Sequence, residues 1–275
     1  MTNYHQYLPS PLLSGFVECY WTLRSPGKGA DSIQRLIPGG RVELIFNLGD
    51  RFHWQFPGME AQSLACGRIK VMGQRNKISF AWQEGNPHLI GVRFKPGGLA
   101  AFSKVPVSEI LNQLLPAEYL FGYSVHDCIA RLQGSVLDEN QIKLLDEFLA
   151  KAIRYEPAQW SLVSSTVNFM RTSPDNISIG EICRENQACY KKLERKFLQI
   201  VGYTPKNYYR IIRFNRAIRE MAFRKNSLTS IGYECGFYDQ AHFIKDFRLF
   251  TGTTPSLFRK EDHFMADFLI HHQPV

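Results

Sequence analysis

The sequence predicts an α+β protein: a β-rich, barrel-like N-terminal domain with helices, followed by an all-α domain built on a repeated pair of helices. Three observations carry this. Short apolar runs bounded by Gly and Pro fill the first hundred residues. Helical periodicity takes over from about Leu99. In the second half, a short helix, a turn, a second helix, a glycine and a proline follow one another twice.

The β-rich part begins with alternation. Val42, Leu44, Phe46 and Leu48 alternate within Arg41–Leu48, as in a strand with one buried face. Phe16–Leu23, Ser32–Ile37, Arg51–Phe56, Lys77–Trp82 and His88–Phe94 are similar runs. Pro26-Gly27, Pro38-Gly39-Gly40, Pro57-Gly58 and Pro96-Gly97-Gly98 punctuate them, so a small antiparallel barrel or sandwich is expected. Ile142, Leu145, Phe148, Leu149 and Ile153 then mark one face of a helix ending near Arg154. Glu156-Pro157 breaks it, which puts the linker there. The expected domains are therefore 1–155 and 156–262, with 263–275 as a tail.

Beyond the linker, helices are expected over Trp160–Arg171, Ile179–Asn186 and Cys189–Val201, with a turn at Ser173-Pro174-Asp175-Asn176. Gly202 stops the third of these helices. Thr204 and Pro205 are a cap and first residue for a long helix to about Arg224. Ser227–Cys235 and Asp239–Phe250 form the second short pair, stopped by Gly252. Ile182–Phe197 and Ile231–Phe247 can be laid over each other, the second copy one residue longer across its turn. Each is followed by Gly, then Pro, then an aromatic residue: Gly202, Pro205, Tyr208 and Gly252, Pro255, Phe258. Helix, tight turn, helix is the plan that places its second helix in the major groove. The connector of about 20 residues spans roughly 30 Å, close to the ~34 Å between successive major-groove segments. Its apolar side is Tyr208, Ile211, Ile212, Ile218, Met221 and Ala222; Arg210, Arg213, Arg216 and Arg219 lie elsewhere around it.

Charge points the same way. The 275 residues carry 33 Lys+Arg and 25 Asp+Glu, a net +8. Residues 1–159 are net +2, whereas 181–260 alone hold 16 basic and 7 acidic residues, net +9. A field concentrated in one block is where an anionic partner should dock. With 44% hydrophobic residues the chain can build a core. No apolar run reaches the ~20 residues of a membrane span, and the start Met1-Thr-Asn-Tyr-His-Gln has no secretory pattern. The six cysteines form no C-x-x-C pair, which fits reduced, mostly buried thiols and a cytoplasmic protein.

The stretch Trp160–Lys260 resembles the DNA-binding domain of AraC/XylS-type transcription regulators. The resemblance is carried by Cys235-Gly-Phe-Tyr-Asp-Gln-Ala-His-Phe-Ile-Lys-Asp-Phe247 and Gly252-Thr-Thr-Pro255-Ser-Leu-Phe258-Arg259. In the first copy L-x-R-x-F is present as Leu193, Arg195 and Phe197. Gln187 replaces the family's turn glycine, and Cys189 its usual Ser cap, so a somewhat different turn is expected there. The resemblance implies a double helix-turn-helix domain that binds double-stranded DNA in two adjacent major-groove segments.

Leu193, Phe197, Phe243 and Phe247 should face the core at i, i+4 spacing. Lys191 and Arg195 then point outward with Lys192 and Glu194 alongside. Ala241, Lys245 and Arg248 point outward from the second helix, with Gln240 and His242 near them. Arg195 can read guanine and Glu194 can accept from cytosine; the lysines and Arg248 suit phosphate. Cys183 and Cys235 are expected as small packed residues.

For the first domain, Ile37–Leu48 and Gly91–Phe102 are similar to segments of an uncharacterised domain found with such DNA-binding domains. A sensing or dimerising role is implied, with a small-molecule effector, a homodimer and an RNA polymerase contact as partners. Trp21, Phe46, Trp54 and Trp82 are candidate cavity walls, or ordinary core; Glu43 and Arg93 are candidate polar ligand contacts, or an ion pair. His53 and His88 are isolated, and no cofactor or metal site is expected. The rival reading is an enzyme or repair protein targeted by the DNA-binding domain. Neither G-x-S-x-G, P-loop nor H-E-x-x-H is present, so an effector-controlled regulator, acting as an activator, is expected.

Overall fold

The early alternation does make sheets, but the strands of the larger one are buried on both faces. The computed structural model describes residues 3–24, 33–65, 67–154, 157–173, 177–223 and 226–260. Pro26-Gly27, Cys66, Glu156, the turn residues 174–176, Arg224, His271-His272 and the expected tail lie outside them. One sheet pairs β1 (Asn3–Tyr7), β2 (Val17–Arg24), β9 (His88–Phe94), β4 (Glu43–Asn47), β7 (Ile69–Met72) and β10 (Leu114–Pro116), in that order. The other pairs β3 (Gln34–Leu36), β8 (Ser79–Gln83), β5 (Phe52–Gln55) and β6 (Gln62–Leu64). β1, β6, β7 and β10 lie outside the expected runs.

The single buried face expected for Arg41–Leu48 is corrected here. Leu44 and Phe46 face helices α1 (Glu118–Phe121), α2 (Ser124–Gln133) and α3 (Asp138–Ala152), whereas Ile45 faces the small sheet. The three layers are small sheet, large sheet and helices, a two-sheet arrangement and not a closed barrel. A strand covered on both sides needs apolar residues at consecutive positions, which hides the period of two.

The C-terminal helices are α4 (Pro157–Thr172), α5 (Ile179–Glu185), α6 (Tyr190–Ile200), α7 (Pro205–Phe223), α8 (Leu228–Glu234), α9 (Gln240–Thr251) and α10 (Pro255–Phe258). Their core holds Leu193, Phe197, Phe214, Phe243 and Phe247, all at 0% exposure. Thr204 caps α7 through the Asn207 N–H at 3.2 Å, and Thr254 caps α10 through the Leu257 N–H at 3.3 Å.

The N-terminal domain docks on this bundle through residues 107–110, which pack on α6 and close on Gly202, and through its two Pro-Gly-Gly turns, which sequence reading took only as punctuation. A Cβ on Gly40 would come within 3.0 Å of the Tyr208 ring. Gly97, at φ +80°, lies so close to α4 and α6 that a Cβ would be 2.8 Å from Ile200 and 3.0 Å from Trp160. Only glycine suits both the left-handed backbone and that approach. Ile37 belongs to the helical core, and the Trp160 ring sits 5.3 Å from Phe16.

Candidate nucleic-acid interface

The two helix pairs repeat in detail. In the first turn the Gln187 N–H donates to the Arg184 carbonyl and the Ala188 N–H to Cys183. In the second, Gly236 donates to Tyr233 and Phe237 to Gly232, each 49 positions on. The Phe197–Tyr208 and Phe247–Phe258 ring pairs are both edge-to-face, at 6.1 and 5.2 Å. The expectation of a different first turn is corrected: Gln187 holds φ +48°, the left-handed region that Gly236 holds at +81°. Holding an L-residue there costs roughly 1–2 kcal/mol. Gln187→Gly should therefore raise stability by about 1 kcal/mol, less any loss from glycine's freer unfolded chain. A urea midpoint no higher than that of the parent would contradict this.

The caps differ. The Asp239 carboxylate accepts from the His242 N–H at 2.7 Å and starts α9, whereas Cys189 makes no side-chain cap to α6. Among the described cysteines the thiols are mostly buried, as expected: Cys19, Cys128 and Cys235 are buried and Cys183 partly so, with Cys189 the exposed exception.

The outward faces stand as follows. Lys191, Lys192 and Arg195 are exposed on α6; Gln240, Ala241, Lys245 and Arg248 are exposed on α9. The docked N-terminal domain leaves these seven uncovered. Glu194 is half-buried, and its Oε1 accepts from the Tyr190 hydroxyl at 2.9 Å, which occupies one of its acceptors. His242 turns inward, with Nε2 3.6 Å from the Asp246 carboxylate and its ring against Phe237 at 5.6 Å. Tyr238 is 83% exposed just before the α9 cap, and sequence reasoning missed it. The signal was present, because Tyr238 falls in the turn where the second copy is one residue longer.

The α7 arginines hold the bundle together. Asp246, 1% exposed, is gripped by Arg210 at 2.7 and 3.2 Å and approached by Arg213 at 4.0 Å. Arg213 also donates to the Gly236 carbonyl at 2.8 Å and lies over the Tyr209 and Phe237 rings. Burial lowers its pKa, against the pull of Asp246. Arg216 donates to the carbonyls of Met170, Arg171 and Ser173 at the end of α4.

In the N-terminal domain the candidate cavity walls do not all come together. Trp21 and Trp54 share the layer between the sheets, and no hydrogen-bond partner among the described residues meets either indole N–H. Glu43 and Arg93 are direct cross-strand partners joined at 2.8 Å. Burial pushes the Glu43 carboxyl up, but Arg93 and Arg75 hold it below its ordinary value. Of the two readings open for Phe46, cavity wall and ordinary core, it takes the second: it lies on the opposite face of the large sheet, among the helices. Trp82 is corrected. It pairs with His53 while Trp54 pairs with Ala81, so alternation turns it outward, where it stacks on His53 at 5.0 Å. Among the described residues no cluster could hold a metal, and no helix is long and apolar enough to cross a membrane.

Two helix-turn-helix units joined by one helix, each with an open basic face, define a double helix-turn-helix domain. The family comparisons agree: residues 182–261 match a helix-turn-helix domain, and residues 5–116 match a domain of unknown function (DUF6597). The C-terminal domain is a helix-turn-helix domain of the AraC type. It is similar to the HTH-type transcriptional regulator ArgR of Pseudomonas aeruginosa, 34% identical over 79 residues, 29% of this chain and 24% of that one. The transcriptional activator RhaS of Pectobacterium carotovorum is 28% identical over 87 residues, 32% and 31% of the two chains. The transcriptional activator AarP of Providencia stuartii is 27% identical over 113 residues, 41% and 84%. The chain thus spans about a quarter to a third of the length of the first two relatives. Among solved structures, ToxT of Vibrio cholerae O395 superposes with TM-score 0.48 at 15% identity, covering 99% of this chain and 98% of that one.

Proposed function

We infer that this protein is a sequence-specific transcription regulator, its α6 and α9 entering adjacent major-groove segments of double-stranded DNA. What carries the reading is the pair of equivalent turns presenting exposed Lys191, Lys192 and Arg195 on one helix, and Lys245 and Arg248 on the other. Arg195 suits base reading and the lysines suit phosphate. Tyr238 adds an apolar and hydroxyl contact at the start of α9. The N-terminal domain, docked through both Pro-Gly-Gly turns, is the part that responds to an effector. A homodimer, a contact with RNA polymerase, an activating role like that in the names of RhaS and AarP, and a place in the cytoplasm belong to the same reading. So does the division into 1–155, 156–262 and a tail.

The rival, catalytic reading has one feature to consider. Ser63 Oγ lies 3.0 Å from His53 Nδ1, and His53 Nε2 lies 2.7 Å from Glu84. Ser63 and His53 are cross-strand partners, so antiparallel pairing alone brings them together. The row stands on the outer face of the small sheet, with the Glu84 side chain 58% exposed. It supports a surface polar row better than a reaction centre.

The test is selection of bound sites from random duplexes, followed by titration of the best site against a scrambled one. A regulator should discriminate by ~10³-fold or more, and lose affinity steeply between 50 and 200 mM salt. Equal affinity for both duplexes refutes the reading.

A further inference from the structure

Where the N-terminal domain meets α4 and α7 there is a cavity of about 370 Å³ whose lining is cationic. Arg41 comes from the N-terminal domain, Arg171 from α4, and Arg216 and Arg219 from α7. Gly39 and Pro96, one from each Pro-Gly-Gly turn, complete the wall on the N-terminal side. No acidic residue is among the described residues that line it. Arg41 is paired with Glu18, and Glu220 adjoins Arg219, but neither carboxylate lines the cavity. No described carboxylate lies within ion-pair distance of Arg171. Among the described residues Arg216 donates to the main-chain carbonyls of Met170, Arg171 and Ser173, which orient its charge without neutralising it. Burial first, then the charges of Arg171 and Arg41, lower the pKa of Arg219, with Glu220 opposing. Like charges crowded in a partly dry site raise each other's free energy, and a bound anion removes that penalty. Guanidinium groups from three directions suit an oxygen-rich anion that accepts several forked hydrogen bonds.

We propose that this junction is a binding site for a small organic anion with two or more negative charges, a phosphate ester or a di- or tricarboxylate. The site lies apart from the layer between the sheets. Its volume is at the small end of the ~300–1,000 Å³ range of ligand pockets, which fits a compact metabolite. Because both domains supply charges, such a ligand favours the docked arrangement. As the effector's class this rests on the regulator reading, although binding itself is read out without DNA.

The test is calorimetric titration of the full chain with pyrophosphate and with citrate, at constant ionic strength in chloride. Arg171→Gln and Arg219→Gln are compared with the parent, and with Lys151→Gln on the exposed side of α3 as a charge-matched control. At least one probe should bind one-to-one, ~10-fold or more weakly in each cleft variant and unchanged in the control. If Arg219→Gln fails to fold, Arg171→Gln, on an exposed side chain, decides alone. Absence of heat with both probes, or equal affinity in the parent and the cleft variants, overturns the proposal. DNA affinity is measured separately without anion. A parallel loss of DNA affinity in the cleft variants would make the cleft part of the DNA surface and also overturn it. Failure of the parent to discriminate between duplexes would instead strike the regulator reading.

Discussion

Asp246→Asn should destabilise the helical domain by about 3–5 kcal/mol, the range for removing one partner of a buried ion pair. The Asp246 side chain is 1% exposed, and the Arg213 it faces is 10% exposed. Without the carboxylate, Arg213 keeps its charge beside the Phe237 and Tyr209 rings with only the Gly236 carbonyl to meet it. Arg210, at 27% exposure, can turn to water. Most of the loss is therefore the stranded Arg213. Asp246→Leu combined with Arg213→Met removes both charges and should recover most of the stability. Urea unfolding followed by circular dichroism measures both. A single variant within 1 kcal/mol of the parent, or a double variant worse than the single one, would refute this account of the core.

Arg195→Ala and Lys245→Ala together should all but abolish recognition of a selected DNA site. A base-reading arginine is worth ~1–3 kcal/mol, and loss of a phosphate-binding lysine lowers the salt slope by about 1. The two side chains sit on different helices, so their losses should add. Fluorescence anisotropy at several salt concentrations separates the roles. Arg195→Ala should narrow the gap between specific and scrambled duplexes; Lys245→Ala should weaken both alike. Unchanged affinity in both single variants excludes the helix placement. Both residues are exposed, so folding should be unaffected.

How much of this the sequence discloses depends on where each side chain's partners lie. The helix pairs are local: Phe243 and Phe247, the Asp239 cap and the Gly252 stop follow from spacing alone. The doubled device is legible for the same reason. The expected change at Gln187 failed because hydrogen bonds to Arg184 and Cys183 fix the turn whichever residue occupies it. The sheets were read less well. β7 and β10 are short and acquire their place only by pairing with distant strands. Phe46 and Trp82 were grouped with Trp21 and Trp54 on composition, but which face a residue takes is set by register, which no single strand reveals. The α7 arginines could be placed only off the apolar side of their helix, because their partners lie 23 to 46 positions away.

The two Pro-Gly-Gly turns are the adjacent ends of one antiparallel hairpin-like ribbon. Residues 38–40 lead into β4 and 96–98 leave β9, and these strands pair directly, with Phe94 donating to Val42 at 3.0 Å just short of the turns. A lever with both prongs on the helical half has no independent parts. A tilt of that strand pair moves the contacts on Tyr208 and Ile200 together. The ribbon's tip is thus one route of mechanical coupling between the halves, beside the packing of residues 107–110 against α6.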